Sequence, residues 1–258
     1  MTIEFTAHNI RLDSGAFTKP DVGFPMDAYP WFVSARGILE TVFPANRKDF
    51  RIADLGCLEG GFAVEFARMG FQVVGIDVRA ANIAACEYVK ANTDLPNLAF
   101  FQDDVQNIAK YGEFDAVFCC GLLYHLDQPR RFLETLSAVT RKLLILQTHF
   151  SAGTHKDAAS KKFKLSKVAE NEGLPGQWFP EFRDDVAPAE RETAKWSSWA
   201  NHRSFWIQRE YLLKAIQDVG FDLVLEEYDA LEPTIAESML RGYYKTDNRG
   251  TFIGIKTR

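Results

Sequence analysis

A stretch that could bind a cofactor runs over residues 54–61 and reads Asp-Leu-Gly-Cys-Leu-Glu-Gly-Gly. It follows a predicted strand over 51–55 and precedes a predicted helix over 62–69, and its glycines let the backbone turn sharply beside a ligand. A dinucleotide-binding turn would read Gly-x-Gly-x-x-Gly, but Leu58 stands where the second glycine belongs. Asp54 would repel a pyrophosphate and could hold a ligand that carries an ammonium and a sulfonium group. The turn therefore favours S-adenosylmethionine over NAD.

Asp77 closes the apolar run 73–77, which predicts a second strand. An acid at the end of this strand can accept hydrogen bonds from both hydroxyls of a ribose. Asp77 could instead cap a helix that starts near Ala80, because a carboxylate accepts from the free N–H groups of a first turn. The position predicts ribose binding, with helix capping as the alternative.

Two acids, Asp103 and Asp104, follow a third predicted strand over 97–102. One carboxylate here could accept from the exocyclic amine of an adenine, while the other serves only the turn. Asp104 is the stronger candidate, because the loop begins after the last apolar pair of the strand, Phe100 and Phe101.

Tyr124 and His125 stand in the stretch 121–129, after a fourth predicted strand over 114–120. Ligands of open α/β sheets bind beyond the carboxyl ends of the strands, so both side chains are expected near the reacting group. Either could orient a nucleophile, and His125 could act as a general base. The alternative is that His125 packs against the sheet and bonds to the backbone. Asp127 is predicted to cap the helix that follows.

Other candidate bases stand later in the chain. His149 follows the fifth predicted strand over 142–147, and the alternative is a histidine in a solvent-exposed loop. His202 and Arg203 could reach a substrate, and Arg203 would suit an acidic one by bidentate pairing. The alternative for both is a structural contact.

Three tryptophans, Trp31, Trp178 and Trp199, could form an aromatic wall for a flat or apolar substrate. Ordinary packing is the alternative. The histidines are spread over separate elements without metal-ligand spacing, so no metal site is predicted.

From residue 51 onward, continuous apolar strands alternate with helical patterns, which points to a parallel sheet covered on both faces. The predicted fold is α/β, with a doubly wound sheet. The predicted strands cover 51–55, 72–78, 97–102, 114–120, 142–147, 221–228 and 251–256.

Four segments follow from this pattern. Residues 1–50 form an N-terminal cap, 51–150 a cofactor-binding core, 151–205 an aromatic insertion that covers the substrate, and 206–258 complete the sheet. Within the insertion, Gly-Leu-Pro-Gly at 173–176 predicts a turn.

These elements, in this order and spacing, resemble the class I, Rossmann-like methyltransferases over about residues 50–150. The resemblance implies a seven-stranded, mostly parallel sheet whose last strand, 251–256, runs antiparallel. It further implies that the first loop lines the methionine end of S-adenosylmethionine, that Asp77 binds the ribose, and that the third loop flanks the adenine. The predicted cofactor-binding residues are Asp54, Gly56, Cys57, Gly60, Asp77, Val78, Asp104, Val105 and Gly121.

The stretch 121–126 is also similar to the branch that modifies the wobble uridine of transfer RNA, as is, faintly, the segment 8–18. The net charge of −5 argues against a nucleic-acid partner, which usually meets a basic face.

The 258-residue chain is 47% apolar and has four cysteines without metal-ligand spacing, which indicates buried thiols in a reducing cytoplasm. No signal peptide is predicted, and the apolar runs are too short to span a bilayer, so no membrane partner is expected. An aromatic N-terminal arm of this kind is compatible with a homodimer.

The sequence predicts a cytoplasmic S-adenosylmethionine-dependent methyltransferase that acts on a small molecule, more on oxygen than on nitrogen. The alternatives are a transferase that modifies the wobble uridine of transfer RNA, an NAD-dependent oxidoreductase, and a binding protein without turnover.

Overall fold

The structure is a computed structural model that describes residues 3–154, 157–183, 185–241 and 246–257. Ten strands lie in this described part of the chain. They are β1 Arg51–Leu55, β2 Gln72–Asp77, β3 Leu98–Gln102, β4 Phe114–Cys120, β5 Thr140–His149, β6 Val168–Asn171, β7 Leu174–Pro180, β8 Arg203–Ile207, β9 Leu223–Glu227 and β10 Arg249–Ile255.

Seven of these strands form one sheet in the order β3-β2-β1-β4-β5-β10-β9. β1 pairs with β2 and β2 with β3 in parallel, whereas β10 pairs with β9 antiparallel. The predicted α/β fold with a mostly parallel seven-stranded sheet and an antiparallel last strand is confirmed. All seven predicted strands are present, with ends that differ by a few residues.

Eight α-helices are described, and α-helices join most successive strands of the seven-stranded sheet, whereas β3 and β4 are joined by a 3-10 helix over Val105–Tyr111. Gly70 and Gly220 follow the second and seventh helices with positive φ, which suits the end of a helix. The helices are α1 Pro30–Val42, α2 Gly61–Arg68, α3 Ala80–Ala91, α4 Pro129–Val139, α5 Ala158–Lys162, α6 Pro188–Thr193, α7 Arg209–Asp218 and α8 Ile235–Met239.

The chain divides into two compact units. The first comprises residues 1–118 and 139–143, and the second comprises 119–138 and 144–258. In the first unit, Phe66 and Phe118 pack ring to ring at 5.1 Å under α2. Residues of the predicted N-terminal cap, including the fully buried Ile10, also belong to the core of this unit.

The second unit contains a three-stranded antiparallel sheet, β6-β7-β8, that the sequence did not predict. The predicted turn at 173–176 is wrong: Asn171 pairs with Leu174, and the turn residues are Glu172 and Gly173, both with positive φ. Two successive residues with positive φ form the tight hairpin turn whose twist matches that of its strands. The strand therefore starts at Leu174.

The start of α4 also differs from the prediction. The Glu172 carboxylate accepts from the backbone N–H groups of Arg130 and Arg131 at 2.9 and 3.1 Å, so the hairpin supplies the cap that Asp127 was expected to provide. None of the helices in the described ranges is long and apolar enough to cross a membrane.

Candidate functional site

The loop after β1 keeps a tight turn although Leu58 replaces a glycine. Gly56 and Cys57 both donate their backbone N–H to the Ile76 carbonyl, at 2.9 and 3.1 Å. Leu58 then adopts a φ of 51°, a left-handed conformation that costs a residue with a Cβ atom about 1–2 kcal/mol. Its N–H donates to Asp77 Oδ2 at 3.0 Å, and the Cys86 thiol donates to its carbonyl at 3.3 Å. These bonds offset the strain, so the loop does not need the missing glycine.

Gly60 ends this loop and precedes α2 with a φ of 81°. A Cβ atom at this position would lie 2.7 Å from the Phe100 ring, which is closer than packed atoms come. Both the backbone conformation and the aromatic neighbour therefore require glycine at position 60.

Asp54, in β1, is an acid in a nearly dry environment, with only 1% of its surface exposed. Burial raises the pKa of this carboxyl from 3.8 to about 8, although a backbone hydrogen bond from Ala63 opposes the shift. Its Oδ2 atom has no hydrogen-bond partner among the described residues. A buried acceptor without a partner costs free energy that a cationic ligand would recover, so Asp54 fits the ammonium and sulfonium groups of S-adenosylmethionine.

Asp77, at the end of β2, is buried and bonded on both oxygens. Oδ1 accepts from Arg79 N at 2.9 Å and from Asn82 Nδ2 at 3.1 Å, while Oδ2 accepts from Leu58 N. The carboxylate thus joins the loop after β1 to the start of α3 through Arg79, the residue before the helix, and the Asn82 side chain, and no first-turn backbone N–H of α3 is described as bonding to it. A carboxylate has about four acceptor sites and three are filled, so one ribose hydroxyl could bond without displacing a protein donor. Ribose binding by Asp77 stays a prediction, as does the role of Val78, which directly follows it.

The two acids after β3 have different surroundings. Asp104 accepts one bond, from Gln106 N at 2.9 Å, through Oδ1. Asp103 accepts from the side chains of Asn107, Lys110 and Tyr111 and from Asp104 N. These bonds, that from Asn107 foremost, lower the pKa of Asp103 to about 2. Asp104, followed by the buried Val105, retains more acceptor capacity for an adenine amine, which supports the choice made from the sequence.

His8 of the N-terminal segment covers the start of α2. Its Nδ1 atom accepts from Gly61 N at 2.9 Å, and burial lowers its pKa from 6.5 to about 4, so the ring is neutral at pH 7. A dinucleotide pyrophosphate would bind the free N–H groups of this first turn. His8 already occupies one of them, which argues against the NAD alternative independently of Leu58.

In the second unit, His125 forms a pair with a carboxylate. Its Nδ1 atom lies 2.7 Å from Glu181 Oε1, and the two side chains are 13% and 1% exposed. Glu181 also accepts from Ser204 Oγ at 2.8 Å and from Ser198 N at 3.0 Å. Because a carboxylate only accepts, the His125 proton is on Nδ1 and the Nε2 lone pair is directed elsewhere. The sequence analysis missed Glu181, which stands in no motif and lies 56 residues from its partner.

Tyr124 packs among aromatic rings beside this pair. Its ring lies 4.2 Å from that of His125 and 4.6 Å from that of His149, and the Arg249 guanidinium lies 5.5 Å from its centroid. Burial raises the pKa of the phenol above its usual value of 10, so it stays protonated. Gly121, which precedes this turn, donates its N–H to the Gln147 carbonyl at 2.9 Å.

His149, at the end of β5, is buried, so the solvent-exposed alternative is wrong. Its ring stacks on Trp206 at 4.6 Å, and its Nδ1 donates to the Asp247 carbonyl at 2.8 Å. Burial, assisted by the Arg249 charge, lowers its pKa to about 3. A base this weak holds a proton poorly at pH 7, so His125 is the better candidate.

Three candidate residues of the insertion, Trp178, His202 and Arg203, line one cleft of about 450 Å³. The Arg203 guanidinium stacks on the Trp178 ring at 4.0 Å. Asn201 Nδ2 donates to the His125 carbonyl at 2.8 Å, which ties a cleft wall to the histidine–glutamate pair. The other lining residues are Asp127, Gln128, Asn171 and Ala200.

The remaining tryptophans lie elsewhere. Trp199 is partly exposed in the segment before β8, and it does not line this cleft. Trp31 lies on α1 in the first unit, where it packs against Tyr29 at 5.3 Å. The aromatic wall of three tryptophans stays a prediction. No group of three or more potential metal ligands occurs among the described residues.

Comparisons with known proteins agree with this geometry. A family model described as a methyltransferase domain matches residues 32–226. YqeM of Bacillus subtilis strain 168, which is named as a methyltransferase, is 36% identical over 144 residues, which are 53% of this chain and 51% of YqeM. A tRNA U34 carboxymethyltransferase of Wolinella succinogenes is 25% identical over 214 residues, which are 77% of this chain and 74% of that protein. The chain spans about half the length, or less, of the first curated relatives that it matches.

A solved structure shows the same fold. The N-terminal domain of EvdMO1, determined in the presence of S-adenosylhomocysteine and D-fucose, matches with a TM-score of 0.65 at 23% identity, over 89% of this chain and 83% of that one. The family model covers three quarters of the chain, so the chain belongs to the methyltransferase domain family.

Proposed function

We propose that this chain is an S-adenosylmethionine-dependent methyltransferase that methylates a hydroxyl group of a small molecule, with His125 as the general base. The observation that carries this proposal is the His125–Glu181 pair at 2.7 Å. A hydroxyl must lose its proton as it attacks, whereas an amine with a free lone pair needs no base to do so. A histidine held in one tautomer by a buried carboxylate suits oxygen methylation better than nitrogen methylation.

The cofactor supplies an electrophilic methyl group on its sulfonium. His125 Nε2, which has no hydrogen-bond partner among the described residues, accepts the hydroxyl proton as the oxygen attacks. Glu181 stabilises the imidazolium that results and fixes the ring orientation. Asp54, Asp77 and Asp104 orient the cofactor, and they lie at or after the carboxyl ends of β1, β2 and β3, where open α/β sheets bind ligands.

A small acceptor is supported by the insertion. Residues 151–205 contribute Glu181 and most of the cleft of about 450 Å³, a volume typical of small-molecule pockets. We assign this segment to acceptor binding and residues 51–150 to the cofactor. The four cysteines are free thiols, which supports a reducing, cytoplasmic setting.

The test compares His125→Gln with the wild type in methyl transfer from labelled cofactor to a panel of small hydroxyl and amine compounds. The wild type should methylate hydroxyl compounds, and kcat of His125→Gln should fall by about 10²–10⁴ while the Kd for S-adenosylhomocysteine stays unchanged. If His149→Gln loses transfer and His125→Gln does not, the base assignment is wrong. Transfer confined to amines would refute oxygen methylation.

Transfer RNA is the second candidate acceptor, because a tRNA U34 carboxymethyltransferase aligns over 77% of the chain. Four lysines of the insertion, at positions 161, 162, 164 and 167, form a basic cluster. One of them, Lys162, already pairs with Asp247 at 2.8 Å. Salt-sensitive binding of tRNA, with label transferred to it and not to small compounds, would replace the small-molecule proposal.

A further inference from the structure

The cofactor loop contains a glutamate that the methyl-transfer scheme does not use. Glu59 stands between Leu58 and Gly60, and none of its surface is exposed. An acid side chain is seldom buried fully unless it is paired. One segment, residues 6–8, donates four hydrogen bonds to it, and we call this segment the N-terminal strap.

The strap wraps the Glu59 carboxylate with donors. Oε1 accepts from the backbone N–H and the hydroxyl of Thr6, at 2.5 and 2.7 Å. Oε2 accepts from the backbone N–H groups of Ala7 and His8, at 3.1 and 2.9 Å. Successive N–H groups that converge on one anion form a backbone nest, and bonds to a charged acceptor are about twice as strong as neutral ones.

A second contact joins the strap to the same loop. Gly61 donates its N–H to His8 Nδ1 at 2.9 Å, and the His8 ring packs edge-on against Phe62 at 5.5 Å. A Cβ atom at Gly61 would lie 2.8 Å from the His8 ring. The loop is therefore latched through the Glu59 side chain and through the Gly61 backbone, which are two residues apart.

The electrostatics show that the latch depends on an ionised Glu59. Burial alone would raise the pKa of this carboxyl, but the hydrogen bonds from His8 and Thr6 bring it below the ordinary value. Without the strap, the buried carboxylate would lose these four bonds, which costs free energy and removes the link between Glu59 and residues 6–8. The predicted cofactor residues Cys57 and Gly60 lie two positions before Glu59 and one after it.

We infer that Glu59 is a positioning residue for the cofactor, which binds tightly only while Glu59 holds the N-terminal strap against the loop. The strap then belongs to the cofactor site rather than to a separate cap. This inference rests on the proposed S-adenosylmethionine dependence and not on which acceptor is methylated.

The test measures the Kd for S-adenosylhomocysteine by calorimetry in the full chain. Glu59→Gln places an amide NH₂ against the strap N–H groups and should weaken binding at least tenfold. Glu87→Gln, a matched change at an exposed position of α3, should leave the affinity unchanged. Thr6→Val removes one donor without altering the loop and should weaken binding severalfold, which keeps the test decisive if Glu59→Gln does not fold.

A structural role is separated from positioning by two further measurements. His8→Asn offers an amide oxygen to the Gly61 N–H in place of Nδ1 and should keep wild-type affinity. His8→Leu removes the acceptor and should weaken binding severalfold. S-adenosylhomocysteine should slow proteolysis within the first ten residues of the wild type. Wild-type affinity in Thr6→Val and His8→Leu, or strap proteolysis that is insensitive to the ligand, would overturn the inference.

Discussion

The two units of the molecule assemble their functional side chains differently. In the first unit, the candidate cofactor residues lie at or directly after the ends of successive strands, at 54–60, 77–78 and 104–105. In the second unit, His125 bonds to Glu181, which lies 56 residues later in the chain, and Glu181 bonds to Ser204, which lies 23 residues after Glu181. The candidate cofactor residues thus come from local strand-turn-helix geometry, while the environment of the proposed base depends on how the insertion folds.

The buried acids show the same difference. Asp54 of the first unit retains an oxygen without a partner among the described residues, and its pKa is raised to about 8. Glu181 of the second unit accepts from three protein groups. A ligand completes the first site, whereas the second is complete without one, so substitutions in the two units should affect different kinetic parameters.

Asp77→Asn should produce the largest effect on cofactor affinity. If Asp77 accepts from the ribose, the loss of its charge should weaken S-adenosylhomocysteine binding about 100-fold, because each bond to a charged group contributes about 1.5–3 kcal/mol. Calorimetry checks this, with the exposed Asp94→Asn as control. If the melting temperature falls while the affinity is unchanged, Asp77 serves only to hold the loop after β1 and the start of α3 in place.

Acid should destabilise the fold through the buried histidines of both units. His8 and His149 have folded pKa values of about 4 and 3 against 6.5 when unfolded, so their stabilising effect is complete above pH 6.5 and is lost as the pH falls. Each should lower the free energy of unfolding by about 2 kcal/mol between pH 7 and pH 5. In His8→Asn, denaturant curves at the two pH values should show a loss of free energy of unfolding that is smaller by the contribution of His8. An unchanged pH dependence in this variant would contradict the shift.

Glu181→Gln should lower kcat about tenfold, because the amide stabilises an imidazolium less than a carboxylate does. The Kd for S-adenosylhomocysteine should not change, which is the reverse of the result expected for Asp77. Steady-state kinetics on the acceptor found in the panel checks this, with the exposed Glu210→Gln as control. A change in cofactor affinity with constant kcat would contradict the assignment of the cofactor to the first unit and of the base to the second.

Cofactor binding should release most of one proton at pH 7. Asp54, with a pKa of about 8, is mainly protonated before binding and should ionise beside the cationic cofactor. Calorimetry in two buffers of different ionisation enthalpy measures the release, and Asp54→Asn should abolish it. Because the folded pKa of Asp54 is raised, the wild type loses free energy of unfolding as the pH rises from 3.8 through 8. Asp54→Asn has no carboxyl to ionise, so without ligand it should be no less stable than the wild type at pH 7. Proton release that persists in Asp54→Asn would assign it elsewhere.

The sequence predicted the seven strands because each is a short apolar run between turn signals, and the resemblance to class I methyltransferases implied that they form one sheet. It did not predict β6, because Val168–Asn171 shows no clear alternation of apolar and polar residues. It also did not predict the hairpin turn, because a glutamate seldom adopts the positive φ that Glu172 has. The same hairpin placed Glu172, rather than Asp127, at the start of α4. These errors share one cause, which is that contacts between distant residues outweighed local preference.

The sequence by itself determined the fold class and the cofactor, because the strand-turn-helix pattern and the acids after successive strands are local features of the chain. Only the tertiary structure decided that Glu181 partners His125, that burial makes His149 a weak base, and that His8 and Glu59 join the N-terminal strap to the cofactor loop. Hydrogen bonds and burial depend on which segments meet in space. Residue types and spacing along the chain do not contain that information.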